Sequence, residues 1–345
     1  MKHPLLITPA LLLCTTLLAA QAQTAQTTPI TLSSAVASAL AAGSTVQDAQ
    51  VGITSAANTL RAVQADPSTL ATALLAAEQA SALARAQLTA AKLTATQNAT
   101  VAFIALYQSQ ELITLNQLQT VIDSKNLQVA QVKLSTRSGT ALDVQNAQNT
   151  LYSSRQNLTA AQSQLLVNRQ KLANVIARPG QYLVVTPPAV PAAPQNTALS
   201  SGYAALLKDQ QAVDTAALAV KLADNEFTAR VTLEQARTAL SNAQSTLASD
   251  QKTLLTTLTT AQSTAEASQA SYRAALQGEA NALAAYTQDT VRLRSGTISG
   301  VALLQSQLVL AKAQYARVQA LVSAWQALAA LGTASGRDVT GFVQE

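Results

Sequence analysis

The feature that most constrains this chain is an apolar residue at every seventh position, because that spacing keeps one face of a helix against a partner helix. The series runs through Val144, Leu151, Leu158, Leu165 and Leu172. Three residues after each lies a smaller or polar residue: Ala147, Ser154, Ala161, Asn168 and Val175. This alternation predicts a coiled-coil seam between closely approaching helices.

The pattern is duplicated. The segment Arg137-Ser138-Gly139-Thr140 recurs as Arg294-Ser295-Gly296-Thr297, at an offset of 157 residues. The same offset places the heptad series on Val301, Leu308, Tyr315, Val322 and Ala329. We therefore expect an all-α fold of two tandem repeats, each a long antiparallel coiled-coil hairpin. Gly139 and Gly296 would be the left-handed or tight-turn residues at the tips. A single helix over 69–136 would be about 100 Å long.

The first 22 residues have the pattern of a secretory signal peptide. Lys2 and His3 form a short basic start, an apolar stretch follows, and the small-x-small cleavage site ends at Ala22. A lipoprotein signal that uses Cys14 is an alternative, although the leucine pair before this cysteine is bulkier than such signals usually have.

Proline divides the rest of the chain. Five of the nine prolines lie between Pro179 and Pro194, and clustered proline favours an extended linker because it fixes the backbone and removes helix donors. The predicted organisation is a signal peptide (1–22), a first hairpin repeat (23–178), a proline-rich linker (179–197), a second hairpin repeat (198–335) and a C-terminal tail (336–345).

Composition argues against catalysis. The one His and the one Cys lie in the signal peptide, so the mature chain would have no imidazole base, thiolate, Cys/His metal site or disulfide. Asp and Glu are spread singly, without a paired-acid pattern. We expect no enzymatic activity, no cofactor and no metal site.

Charge and hydropathy exclude two further classes. Removal of Lys2 leaves 21 of the 22 basic residues against 17 acidic ones, a net charge of +4. The basic residues are scattered and lack interleaved aromatics, so we expect no nucleic-acid binding. No run of 18 apolar residues follows the signal peptide, so no membrane-spanning helix is expected.

Two segments carry a resemblance to a known family. Residues 30–40, ITLSSAVASAL, are similar to an N-terminal "TLxEAvxxAL" signature, with Ser34 in place of the acid. Residues 139–148, GTALDVQNAQ, with Leu151 beyond, are close to a "G…DVxxAqxxL" motif, and 296–307 form its counterpart. Both halves then finish in a similar run, at Leu172-Ala173 and at 328–332. On these residues the chain resembles the TolC-like outer-membrane efflux protein family.

The resemblance implies a homotrimeric tunnel in the cell envelope, at the outer membrane or in the periplasm, whose hairpin tips dock a periplasmic adaptor of an inner-membrane pump. It places Asp143 just inside the aperture, and it puts Ala302 and Gln305 where family members often carry aspartates. For the two glycines a plain helix-helix turn is the alternative, and for Asp143 a helix N-terminal charge favoured by the dipole. The tip residues implied by the resemblance are Arg137, Ser138, Gly139, Thr140, Arg294, Ser295, Gly296 and Thr297.

The chain departs from the family where barrel strands are inserted. Residues 62–69 are too short for a strand pair and predict a helix break. Residues 227–233 alternate between apolar and polar, which suits one short strand, but a continuous helix from about 199 to 292 is the favoured interpretation. We expect the barrel strands to be missing or vestigial, and membrane association is left open.

Two functions follow. The first is a passive envelope conduit for efflux or secretion, driven by a partner pump. The alternative is a barrel-less periplasmic coiled-coil protein that spaces or scaffolds the envelope.

Overall fold

The computed structural model describes residues 27–185, 189–194, 197–200 and 203–342. The predicted signal peptide lies outside these residues. The elements assigned in them are β1 (Thr27–Ile30), α1 (Leu32–Ala42), α2 (Ser44–Ala65), α3 (Ala71–Ser135), α4 (Ala141–Val175), β2 (Gln181–Val184), α5 (Ala204–Ala223), α6 (Arg230–Arg294) and α7 (Gly300–Ser335).

The two repeats match helix by helix, which confirms an all-α fold of tandem antiparallel hairpins. The long helices α3 and α6 both have 65 residues, or about 98 Å each at 1.5 Å per residue. The returning helices α4 and α7 have 35 and 36 residues. The preceding helices α2 and α5 have 22 and 20. Helix α3 contains neither Gly nor Pro and is rich in alanine, leucine and glutamine, all of which have high helix propensity.

The predicted seam is present in α4. Every seam position, from Val144 to Val175, is buried or half-buried, whereas nearly every other residue of this helix is exposed. One polar seam residue, Asn168, is satisfied across the interface because its amide donates to the carbonyl of Ala105 in α3 at 3.1 Å. Helix α4 therefore packs on α3 through one face only.

The helices form a single row. Near the turns that join the long helices to the returning ones, α4 packs on α3, α3 on α7 and α7 on α6. In the other half of the row, α2 packs on α3, α3 on α5 and α5 on α6. Helices α4 and α6, both described in full, are not packed against each other and form the two edges of the first half.

The main core lies at the middle of the row. There α1 and β2 pack on α3, β2 also packs on α4, and the same core includes the C-terminal end of α4 and the middle of α7. The fully buried side chains include Val36, Phe103, Leu106, Leu172 and Leu321. Helix α1 begins at a capping box, in which the Thr31 hydroxyl accepts from Ser34 N at 3.3 Å and Thr31 N donates to Ser34 Oγ at 3.2 Å.

The chain crosses between the repeats along α6. Strand β2 lies inside the segment predicted as linker and pairs in parallel with β1. Further on, Gln269 donates to the carbonyl of Pro191 at 2.6 Å and Gln262 to that of Pro194 at 2.7 Å. These two glutamines are seven residues apart, so one face of α6 holds the extended segment.

Short turns lie at both positions where the resemblance implies inserted strands. Residues 66–70 separate α2 from α3, as predicted, and residues 224–229 separate α5 from α6. The expected continuous helix over 199–292 is therefore wrong, and 227–233 do not form a strand. The cause is Asn225, whose side chain donates to Leu222 O at 2.8 Å and accepts from Phe227 N at 2.9 Å. An asparagine that bonds the local backbone competes with the helix.

Candidate functional site: the two hairpin turns

The first turn, residues 136–140, is closed by the backbone at the end of α3. The N–H groups of Ser138 and Gly139 both donate to the carbonyl of Lys133, at 2.8 and 3.0 Å. The Ser138 hydroxyl donates to the same oxygen at 3.2 Å. Arg137 lies in the left-handed region with φ of 58°, which reverses the chain direction.

The second turn, residues 295–299, repeats this geometry. Thr297 N donates to the carbonyl of Arg292 at 2.9 Å, and so does the Thr297 hydroxyl, also at 2.9 Å. The left-handed residue here is Gly296, with φ of 72°. When the hydrogen bonds and the left-handed residues of the two turns are matched, Ser138 corresponds to Thr297 and Arg137 corresponds to Gly296. The structural offset is therefore 159 residues, two more than the offset at which the R-S-G-T letters match.

This register decides between the two expected roles of Gly139, a left-handed residue or a tight-turn residue. It does not occupy a left-handed conformation, because Arg137 does so in the first turn. Gly139 is instead a position of close approach, where an added Cβ would stand 2.9 Å from the Cβ of Lys133. Gly296 is left-handed as predicted, with open space around it.

Asp143 belongs to the start of α4. Its carboxylate accepts from Thr140 N and from the Thr140 hydroxyl, both at 2.8 Å, while Asp143 N donates back to that hydroxyl at 3.2 Å. This capping box satisfies free N–H groups of the helix. The backbone bond, then the hydroxyl bond, lower the pKa of Asp143 below its usual range. The equivalent position is Ala302, whose N donates only to the Ser299 hydroxyl, at 3.2 Å.

The residues implied by the resemblance all lie at these two turns. Arg137, Ser138 and Thr140 are exposed and Gly139 is half-exposed, within the first turn. Arg294 is the last residue of α6, and Ser295, Gly296 and Thr297 follow it in the second turn, all of them exposed. Both turns lie at the same end of the helix row, because α3 and α6 both run antiparallel to α7.

A charged cluster between three helices was not predicted from the sequence. Arg317 of α7 forms an ion pair with Glu279 of α6, an electrostatic contact without hydrogen-bond geometry. Burial disfavours the charged guanidinium, but Glu279 and Tyr107 of α3 outweigh it and raise the pKa of Arg317. Burial, then Glu111, raise the pKa of Tyr107 against the effect of Arg317. Glu279 and Arg317 are at similar distances along the sequence from the second turn. Pairing residues at equal distances on the two sides of this turn would have predicted their contact.

One pair of carboxylates also went unpredicted. Asp209 of α5 and Asp250 of α6 lie side by side, although their spacing in the sequence predicts single acids. Burial raises the pKa of Asp209 most, and Asp250 raises it further. In the part of the chain that the structure describes, no three Asp, Glu, His or Cys residues converge as metal ligands would. Over the same residues, no helix has the length and apolarity required to cross a membrane.

Comparison with known proteins identifies the architecture. No family model matches the sequence, and no curated protein is similar to it. Among solved structures, the CmeC outer membrane channel of Campylobacter jejuni aligns with a TM-score of 0.66 and 12% identity, over 88% of this chain and 85% of that one. The outer membrane protein VceC of Vibrio cholerae aligns with 0.64 and 15%, over 89% and 96%. The open state of the MtrE outer membrane channel of Neisseria gonorrhoeae aligns with 0.57 and 14%, over 89% of each chain. The chain therefore has the TolC-like fold shared by these outer-membrane channels.

Proposed function

We propose that three copies of this chain close into a ring and form a passive conduit in the cell envelope. The turns at 136–140 and 295–299 dock a periplasmic adaptor, which connects the ring to an energised inner-membrane pump. The chain itself performs no chemistry, and transport energy comes from the pump. The likeness to outer-membrane channel structures supports the proposal at the level of the fold.

The observation that carries the proposal is the pair of open edges of the helix row. Edge helix α4 leaves large apolar side chains exposed outside its seam: Leu142 is 63% exposed, Tyr152 65% and Leu166 57%. At 100° per residue these three side chains, with Val167, fall within an arc of about 120°. An exposed apolar stripe of this kind is typical of an interaction surface.

The opposite edge, α6, offers the complementary surface. Only Leu258, Ala265 and Gln269 are buried along its 65 residues, and Leu255, Leu283 and Val291 are exposed. A contact of the α4 edge with the α6 edge of the next copy uses two different surfaces. Such head-to-tail contacts close into a ring when the rotation between copies allows it. In this ring Asp143 lines the aperture near the turns, and its lowered pKa keeps the carboxylate ionised.

The number of copies tests the proposal. The mature chain, extracted with and without detergent, is measured by light scattering, and a mass of three chains is expected. Leu166→Glu places a charge in the α4 stripe and should shift the mass towards one chain. Phe227→Glu is the matched control, because Phe227 is exposed in the turn between α5 and α6. A monomeric unaltered chain at all concentrations would contradict the ring.

A spacer rod is the second candidate. The short turns at 66–70 and 224–229 favour it, because they join helices directly where the resemblance implies inserted strands. A rod needs no ring, so dye export separates the two functions. Cells that depend on the chain for export should lose it with Leu166→Glu and keep it with Phe227→Glu. Unchanged export with both variants would favour the rod.

A further inference from the structure

We infer that the surface docked by the hairpin turns is an acidic surface with apolar residues on another protein. The inference rests on the proposed docking role of the turns and adds the chemistry of the partner. Four cations lie close to the turns: Lys133, Arg137, Arg292 and Arg294. Within 129–145 and 288–304 the only acids are Asp143 and Asp289, so this end of the chain carries two net positive charges.

The other end of the row has the opposite balance. The segments 58–74 and 219–235 have the same lengths as the two above and surround the turns that begin α3 and α6. They contain three basic and four acidic residues. The ends are about 98 Å apart along α3, many times the screening length of about 8 Å at physiological ionic strength. A partner at the hairpin turns therefore experiences only the basic end.

The cations at the turns are largely available to a partner. Among the described residues, no carboxylate lies within ion-pair distance of Lys133, Arg137 or Arg294, whereas Arg292 pairs with Asp289 at 3.2 Å. Both neighbouring acids are already engaged, since Asp143 is held in the capping box of α4. All four cations are exposed.

Arg137 places one of these cations within the first turn itself. It holds the left-handed conformation that Gly296 holds in the second turn. This conformation is unfavourable for any residue with a Cβ. Ala177 holds the same conformation at the end of α4, so the conformation is that of a helix end. Arg137 presents an exposed guanidinium at this position, and a guanidinium suits a partner carboxylate.

Apolar residues accompany the cations, and this combination favours a protein over a lipid surface. Val132 is 62% exposed and its structural equivalent Val291 is 59% exposed. Arginine beside apolar side chains is typical of protein interfaces. Membrane-surface segments instead use aromatic residues together with basic ones, and neither 129–145 nor 288–304 contains an aromatic residue.

The test uses two designed helical-hairpin probes with the same leucine seam, one with glutamates and one with lysines around its turn. Binding to the full chain is followed by fluorescence anisotropy. We expect the glutamate probe to bind at least about tenfold more tightly than the lysine probe, with a preference that weakens as salt is raised. Arg137→Glu with Arg294→Glu should reduce its binding at least about tenfold, and the glutamine versions should reduce it less.

The matched control is Arg61→Glu with Arg230→Glu, which changes the net charge equally at the opposite end and should leave binding unchanged. Equal binding of both probes, binding of neither, or an unaffected glutamate-probe affinity in the Arg137/Arg294 variant would overturn the inference. So would tip-dependent binding to phosphatidylglycerol vesicles without binding of the glutamate probe. A ring that exports dye but ignores the probe contradicts only this inference, whereas a monomer that binds the probe contradicts only the conduit.

Discussion

Exchanging the residues at the two left-handed positions tests the structural register of the repeat. Arg137→Gly should stabilise the first turn, because a Cβ in the left-handed region costs about 1–2 kcal/mol. Glycine offsets about 0.4–1 kcal/mol of this gain, because it has greater conformational freedom in the unfolded chain. The net gain is about 0.5–1 kcal/mol. Gly296→Ala reverses both contributions and should cost a similar amount, since the added Cβ meets no atom within 4 Å.

Native-state hydrogen exchange is the appropriate assay, because fraying at a helix end is a local opening that global unfolding averages away. The reporter amides are Ser138 N in the first turn and Thr297 N in the second. One kcal/mol corresponds to about a fivefold change in protection. Arg137→Gly should raise protection up to about fivefold, and Gly296→Ala should lower it about as much. Lower protection in Arg137→Gly would refute the 159-residue register and restore the 157-residue one.

Three further changes probe the helix ends and the charged cluster. Thr140→Val should cost about 1 kcal/mol in urea unfolding and move the pKa of Asp143 up towards 3.8, as measured by carbon NMR. Because this pKa is lowered in the folded chain, the stability it confers is fully present well above pH 3.8 and is lost progressively as the pH falls through the lowered folded value. Gly43→Ala should cost about 1–3 kcal/mol and loosen α1, since its Cβ would overlap the carbonyl oxygen of Ala39 in that helix. Unchanged near-UV circular dichroism and an unchanged unfolding midpoint would contradict this. Glu279→Gln removes the ion pair of the partly buried Arg317 and should lower the free energy of unfolding by about 1–3 kcal/mol. This is more than the loss of the exposed ion pair between Glu234 and Arg237 in the first turns of α6 should cost.

The regular parts of the fold could be predicted from sequence because their signals are local. A seven-residue period places Leu151 and Leu172 on one buried face whatever the partner, and the absence of Gly and Pro allows one helix over nearly all of 69–136. The register between the two turns was harder to predict. The four matching residues R-S-G-T suggest an offset of 157 residues, whereas the geometry of the turns gives 159. The better signal was the helix N-cap, a position with a physical requirement, which Thr140 and Ser299 share.

Contacts between distant segments could not be predicted. The glutamines that hold the linker, Gln262 and Gln269, look like ordinary solvated residues of α6 until the path of the linker is known. The same holds for Asp209 and Asp250, which are 41 residues apart and meet only because α5 folds back on α6. Asn225 breaks the helix through its own side chain, a competition that depends on a single rotamer rather than on periodicity.

The position of α1 determines the order in which this chain can fold. Residues Leu32, Ala35 and Val36 of α1 belong to the same buried cluster as Val318 and Trp325 of α7, so this cluster is complete only when elements from both ends of the sequence have packed on α3. The first hairpin can form from local contacts, whereas closing this core carries the delay of a high contact order. During synthesis the side of α3 that packs on α7 stays uncovered until this last helix has been made. A nascent chain that stops before α7 should therefore expose this apolar surface and bind chaperones.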